Sequence, residues 1–132
     1  MTSLFGIPAS GLNTQAKRIS ASAQNVANLT STGVRSDPPE AGDEGYRPQR
    51  VLAVATPGGG VRGRTVPVSP AAVQVYDPHD PAANEQGLAP RPNVSLESEM
   101  VTQIQAKRAY QANLSAMSTM NKMTGALLDF TS

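Results

Sequence analysis

Two short stretches of this chain hold residue types that could do chemistry. Gly58-Gly59-Gly60-Val61-Arg62-Gly63 fits the bare pattern GxGxxG of a dinucleotide-binding loop, and it follows an apolar run from Arg50 to Ala55. A pyrophosphate site also needs a helix that opens directly after the glycines, with its N-terminus facing the phosphates. Pro67 and Pro70 prevent a useful helix there, so the glycines are read as the turn of a β-hairpin. The second stretch is Asp77-Pro78-His79-Asp80-Pro81, two carboxylates beside the only histidine. Such a set would hold a cation weakly, but its prolines make it a turn, and no metal or cofactor is expected. A Ser-His-Asp triad would have to pass through this one loop, and the absence of cysteine excludes disulfides and thiolate metal sites. The sequons Asn28-Leu29-Thr30, Asn93-Val94-Ser95 and Asn113-Leu114-Ser115 are read as coincidence, since two of them lie within helical patterns. No catalytic residue is assigned, and the chain is not read as an enzyme.

The elements that would position these residues are more informative. Phe5, Leu12, Ile19 and Val26 recur every seven residues, with Ala9, Ala16 and Ala23 at the matching offset. This is an a/d seam, with alanine at a and larger side chains at d. The spacing predicts a helix from near Leu4 or Pro8 to about Ser31, with Gly33 as its stop. Lys17 and Arg18 are the only charges on its other face. The rest of that face is Asn13, Thr14, Gln15, Ser20, Ser22, Gln24, Asn25 and Asn28. An uncharged polar face can be buried and hydrogen-bonded without desolvating ions.

A second helix is predicted from Ser95, a good N-cap, to the C-terminus. Glu97 and Glu99 then stand at its positive end. Leu96, Met100 and Ile104 continue into a broad apolar surface of Ala109, Tyr110, Ala112, Leu114, Ala116, Met117, Met120, Met123 and Leu127. Between the helices, Arg50–Ala55 and Val61–Val68 read as a hairpin, and Ala72–Tyr76 as a possible third strand. The expected class is therefore mainly α with a small β element. Long terminal helices pair as a coiled-coil-like hairpin around a short β-hairpin or three-strand insert. The expected organisation is one structural unit: a helix over 1–33, an exposed loop over 34–48, the β element over 49–76, an extended Pro-rich connection over 77–94, and a helix over 95–132.

Composition limits what such a chain can do alone. With 132 residues, no Trp, two Phe and three Tyr, large core-forming side chains are scarce. A net charge of +1 argues against a nucleic-acid footprint, and no apolar run is long enough to span a membrane. The first eleven residues lack the basic region of a cleaved signal peptide. Four buried seam residues stabilise by about 1.5–3 kcal/mol each. Ordering the backbone costs about 1–2 kcal/mol per residue along the helix. One seam does not hold such a helix convincingly, so other subunits are expected to supply further burial, and the isolated termini are expected to be mobile.

The residues also carry a resemblance. Ser10-Gly11-Leu12-Asn13-Thr14-Gln15 followed by Asn25-Val26-Ala27-Asn28-Leu29-Thr30-Ser31-Thr32-Gly33 resembles the N-terminal signature of bacterial flagellar rod and hook proteins. Tyr76 to Gly87, Pro92 to Val101, and Arg108-Ala109-Tyr110-Gln111-Ala112-Asn113 look like segments of the proximal rod members of that family. Val34-Arg35 departs from the aromatic-basic pair usual in the family, and Leu88-Ala89-Pro90-Arg91-Pro92 is richer in proline than its pattern.

The resemblance implies a structural subunit of the proximal rod, the drive shaft between the membrane (MS) ring and the hook. It implies helical polymerisation around an export channel through the terminal helices. Implied partners are copies of the chain, other rod proteins, the MS ring, the rod-base adaptor FliE and the flagellar type III export apparatus. Neither nucleic acid nor direct membrane insertion is implied. The implied location is the periplasm-spanning basal body, reached without a cleaved signal, and Leu4, Phe5 and Ile7 match the family's export-recognition patch. The subunit-packing residues expected on this basis are Phe5, Ala9, Leu12, Ala16, Ile19, Ala23, Asn25, Val26 and Asn28 on the first helix. On the second they are Leu96, Met100, Ile104, Tyr110, Leu114, Met117, Met120, Met123 and Leu127. The alternatives are another axial subunit of the same organelle, a soluble helical adaptor or export chaperone, or a small ligand-binding β module.

Overall fold

The computed structural model describes residues 5–32 and 45–129. Its elements in chain order are α1 (Gly6–Ala27), β1 (Gln49–Ala55), β2 (Val61–Pro67), β3 (Ala72–Tyr76), β4 (Leu88–Pro92) and α2 (Leu96–Asp129). The class is as expected, mainly helical with a small β part between two helices. Leu4, Gly33, the loop over 37–44 and the residues after Asp129 lie outside the described part.

Both helices have local causes. Pro8 falls in the first turn of α1, where its missing N–H has no intrahelical bond to lose. Asn28 closes the other end. Its N–H reaches Gln24 O at 3.1 Å and its side-chain amide donates to the same carbonyl at 2.9 Å. Ser31 then bonds back to Asn28 O at 2.6 Å in a turn, so the helix ends before the expected Ser31. At the start of α2, Ser95 Oγ accepts the Ser98 N–H at 3.3 Å and donates to Glu97 Oε2 at 2.8 Å. The backbone hydrogen bond at Glu97, and then the Ser95 hydroxyl, hold the Glu97 carboxyl below its ordinary pKa.

The two helices run antiparallel. Asn25 of α1 meets Glu99 of α2, and Gly11 lies against Asn113. With 22 and 34 residues, they are about 33 and 51 Å long at ~1.5 Å per residue. The last turns of α2 therefore overhang the start of α1, and residues 121–129 are all exposed.

The β part differs from the expected three-strand element. β1 and β2 form one antiparallel hairpin, whereas β3 pairs with β4 in a separate two-stranded ribbon. β4 comes from the segment expected to be a Pro-rich connection. The flanking bonds, Asp77 N–H to Gly87 O at 2.8 Å and Asn93 N–H to Ala71 O at 2.9 Å, fix the hydrogen-bonding phase of this ribbon. Pro90 and Pro92 pair with Gln74 and Ala72 at the alternate positions, where no N–H is required of them. Their spacing of two makes the prolines compatible with a strand.

Burial is sparse. Among the described residues the buried apolar side chains are Ala21, Val51, Ala71, Ala89 and Ala106, four alanines and a valine. The larger fully enclosed side chains are Asn25, Thr14, Pro48 and Ser22. α1 lies between α2 on one flank and the β1–β2 hairpin on the other, and the centre is made of small and polar groups.

Candidate functional site: a polar junction and the helix faces it presents

Asn25 joins three parts of the molecule. Its Nδ2 donates to Glu99 Oε1 of α2 at 2.7 Å and to Gln49 O of β1 at 2.8 Å. Its Oδ1 accepts the Tyr46 hydroxyl at 2.7 Å and the Gln49 N–H at 3.0 Å. Both donors and both acceptor sites of this amide are thus used, on a residue only 2% exposed. Next to it, Ser22 Oγ donates to Glu99 O at 3.2 Å and accepts from Gln103 Nε2 at 3.2 Å. Burial, and secondarily the charge of Glu99, raises the pKa of the Tyr46 phenol, which keeps the proton it donates to Asn25.

Farther along α1 the helices meet where a side chain is missing. A Cβ on Gly11 would stand 2.7 Å from Asn113 Oδ1, so glycine is what leaves room for the Asn113 side chain between the helices here. On the other flank the hairpin tip rests on the first turns of α1. Gly58, Gly59 and Gly60 all have positive φ, and a Cβ on Gly60 would stand 2.6 Å from Ser10 Oγ. Ser10 Oγ accepts the Val61 N–H at 3.0 Å and donates to Ile7 O at 2.6 Å. The glycine loop is therefore a hairpin turn docked on a helix, as its sequence context requires.

The Asp77–Asp80 turn is also structural. Arg91 Nη2 lies 2.9 Å from Asp77 Oδ2 and 3.0 Å from Asp80 Oδ2, while its Nη1 donates to Thr30 O at 2.7 Å. One guanidinium thus ties β4 and the acidic turn to the segment after α1. The Asp80 side chain is 1% exposed, and its other oxygen accepts the Ala82 N–H. Among the described residues no group of three His, Cys, Asp or Glu side chains could hold a metal.

The sequence-predicted packing residues separate into two groups. Asn25 lies inside its own chain, and Asn28 is spent on the α1 cap. The apolar seam does not form the intrachain contact. The stripe buried under α2 and the hairpin is Gly11, Thr14, Ala21, Ser22 and Asn25. At ~100° per residue the predicted seam is rotated roughly a third of a turn away from it. Ala9, Ala16 and Ala23 are exposed, and Phe5, Leu12, Ile19 and Val26 are half-covered.

On α2, Met100 and Ile104 are half exposed and Leu96 nearly so. Tyr110, Leu114, Met123 and Leu127 are exposed as well, while Met117 and Met120 are intermediate. Of the export candidates, Phe5 is intermediate, Ile7 is 49% exposed, and Leu4 lies outside the described residues. Among the described residues fifteen large apolar side chains stay exposed, where a soluble monomer would leave only scattered ones.

The low-charge face of α1 is buried at Thr14, Ser22 and Asn25, as expected of an uncharged polar surface, but its own chain covers it. Sequence reasoning missed Gly11, Tyr46, Glu99 and Arg91 as organising residues. For Gly11 a signal existed, since Gly11, Thr14, Arg18, Ala21 and Asn25 keep a second heptad rhythm beside the apolar one. For Tyr46 and Arg91 there was none, because their partners lie across the fold.

Comparison with known proteins follows the same lines. The profile of the flagellar basal body rod FlgEFG protein C-terminal family matches residues 85–130. Flagellar basal-body rod protein FlgC of Salmonella typhimurium is 36% identical over 130 residues, covering 93% of this chain and 92% of that protein. FlgC of Bacillus subtilis is 30% identical over 135 residues, covering 90% of each chain. FlgC of Agrobacterium fabrum is 32% identical over 130 residues, covering 93% and 89%.

Proposed function

This chain belongs to the flagellar basal-body rod protein FlgC family, and on that premise we propose that it polymerises helically through the outer faces of α1 and α2. It is a structural subunit of the flagellar rod in the basal body, and not an enzyme. In the proposed assembly the seam of Phe5, Leu12, Ile19 and Val26, with Ala9, Ala16 and Ala23, packs against neighbouring subunits. The stripe of Leu96, Met100, Ile104 and Leu114 does the same on the other helix. The proposed neighbours are copies of this chain, other rod proteins and, at the base, the MS ring and FliE. Asn25 and Asn28 leave the packing set, because their hydrogen bonds are spent within the chain.

The observation that carries this reading is the apolar surface left open on both helices: Leu96, Met100, Ile104 and Leu114 are exposed on α2, and the α1 seam is only partly covered. A regular heptad stripe is left at least partly exposed by its own fold, while a stripe of small and polar residues makes the internal contact. Apolar surface of this extent gains free energy only when something covers it. A rod that transmits torque around an export channel would draw stiffness from many such contacts. Passage through the type III apparatus, without a cleaved signal and with Leu4, Phe5 and Ile7 as the recognised patch, suits a subunit with so small a core.

Ile19→Asp tests the seam. The expected result is a full-length, folded chain that is absent from isolated basal bodies, in cells that do not swim. Normal motility and normal incorporation of the variant would sink the proposed use of this face.

A further inference from the structure

An apolar groove opens at the end of the molecule where α1 stops and α2 begins. Its walls are Leu29, Val73, Val75, Pro92 and Val94, and its volume is about 390 Å³. Val73 and Val75 alternate with Gln74 along β3, so both stand on one face of the ribbon, and they remain 41% and 43% exposed. The polar members of the groove, Thr30 and Arg91, are spent on one another and on the Asp77–Asp80 turn. Such a groove offers little to a charged or small polar ligand and suits an apolar insert.

The opposite end of the molecule shows what an insert of that kind looks like. Asn25 opposite Glu99 and Gly11 opposite Asn113 put Gly6 level with about residue 118 of α2. Residues 119–129 therefore project beyond α1 by about 16 Å at ~1.5 Å per residue. On this projection Met120, Met123 and Leu127 fall within ~60° of one another at ~100° per residue. Leu128 stands beside them, and Lys122 and Asp129 lie on the far side. Met123, Leu127 and Leu128 are 61%, 67% and 66% exposed. Groove and tip are about 45 Å apart along α2, so one chain cannot fill its own groove.

We propose that the groove receives the apolar end of the C-terminal helix of a different rod protein of the same family. This rests on the reading that the chain polymerises through its helices. The profile matching residues 85–130 describes the C-terminal region of FlgEFG rod proteins, so chains other than this one carry a helix of this kind. A second copy is the less suitable occupant. Tip-in-groove contact between copies is head-to-tail and does not close on itself, so it would extend this one protein without limit. A tip from another family member ends that run and hands the stack from one protein to the next. Recognition is then of the helix-in-groove kind, with anchors at i, i+3 and i+7. Met120, Met123 and Leu127 have that spacing on this chain's own tip.

Photocrosslinking tests the occupant. Val75 is to be replaced in the full-length chain by photoreactive benzoylphenylalanine, and basal bodies that contain the variant are to be isolated and irradiated. The expected result, read by mass spectrometry, is an adduct to a peptide from the C-terminal helix of a different rod protein. An adduct to a second copy of this chain, to another segment or to a protein outside the family overturns the proposal, as does no adduct at all.

A charge in the groove serves as the second measurement. Val73→Asp with Val75→Asp should lower incorporation into basal bodies about tenfold or more, the scale of losing an apolar anchor from an interface. The purified variant should keep the wild-type circular dichroism, because both valines are exposed in the chain alone. Incorporation within about twofold of wild type overturns the proposal. The polymer reading fails separately, if the wild-type chain is missing from purified basal bodies.

Discussion

The contact between α1 and α2 and the surface that α1 turns outward are built from opposite materials. Inside, the helices meet through Gly11, Ser22 and Asn25 against Glu99, Gln103, Ala106 and Asn113, mostly small or polar groups with directional bonds. Outside, the same helix shows a heptad of Leu12, Ile19 and Val26 with exposed alanines. Hydrogen bonds have strict geometry, so an internal polar contact fixes one arrangement of the helices. Apolar burial is non-directional and needs only area, which many neighbouring copies can provide. The difference teaches how a short chain without a large core can hold a defined shape while its larger apolar side chains stay on the outside.

That contrast can be broken most directly at Asn25. Asn25→Asp removes both amide donors and sets a carboxylate beside the Glu99 oxygen now 2.7 Å away. The expected loss is about 3–4 kcal/mol, from a buried unpaired charge and orphaned partners, read by urea unfolding of the purified chain. A loss under about 1 kcal/mol would mean that the junction is not what holds the helices. Arg91→Met should follow at about 2–3 kcal/mol, because it leaves the buried Asp80 carboxylate with only its N–H partner. The loss should appear as faster hydrogen exchange around residues 77–92.

Tyr46→Phe should cost about 1 kcal/mol near neutral pH, the typical net value of one hydrogen bond. It should also change the alkaline limb of stability. The Tyr46 pKa is raised in the folded state from an ordinary value of 10.0, so the unfolded chain loses the phenolic proton first. The stabilisation from this group is thus complete below pH 10 and declines as pH rises through the folded pKa, and the Phe variant should lack that decline.

Gly11→Ala gives the smallest effect and the sharpest test. Alanine is the better helix former by about 0.8–1 kcal/mol, but its Cβ would press on Asn113. In the wild-type background the expected result is a net loss of about 0.5–1 kcal/mol, and in an Asn113→Ala background a gain of similar size. Equal effects in both backgrounds would show that the close approach does not govern this contact. Beside these, Ile19→Asp, at a half-covered position, should cost the isolated chain only about 1 kcal/mol, while the same variant is expected to be absent from basal bodies.

Much of the architecture was legible because it follows from local chemistry. Heptad spacing gave α1, Ser95 with Glu97 gave the start of α2, and the run Gly58-Gly59-Gly60 gave the hairpin turn. β4 was not legible, because prolines count against a strand until the pairing phase is known. Pro90 and Pro92 are harmless only at the alternate positions that the partner strand sets. The expectation that the terminal helices depend mainly on neighbours left out one contribution. It considered only apolar burial, whereas the helices pair within the chain through polar groups that hydropathy does not register.

The sequence by itself determined where the chain is helical, where it turns, and that its apolar residues lie in stripes too thin for a large core. These follow from residue propensities and periodicity, which act over a few positions. Only the tertiary structure decided which stripe of α1 faces inward. Both the apolar heptad and the small polar one could pack against a helix. The choice depends on Glu99, Gln103 and Gln49 arriving from distant segments to satisfy Ser22 and Asn25. A buried amide is tolerated only where all its partners converge, and that convergence is a property of three dimensions.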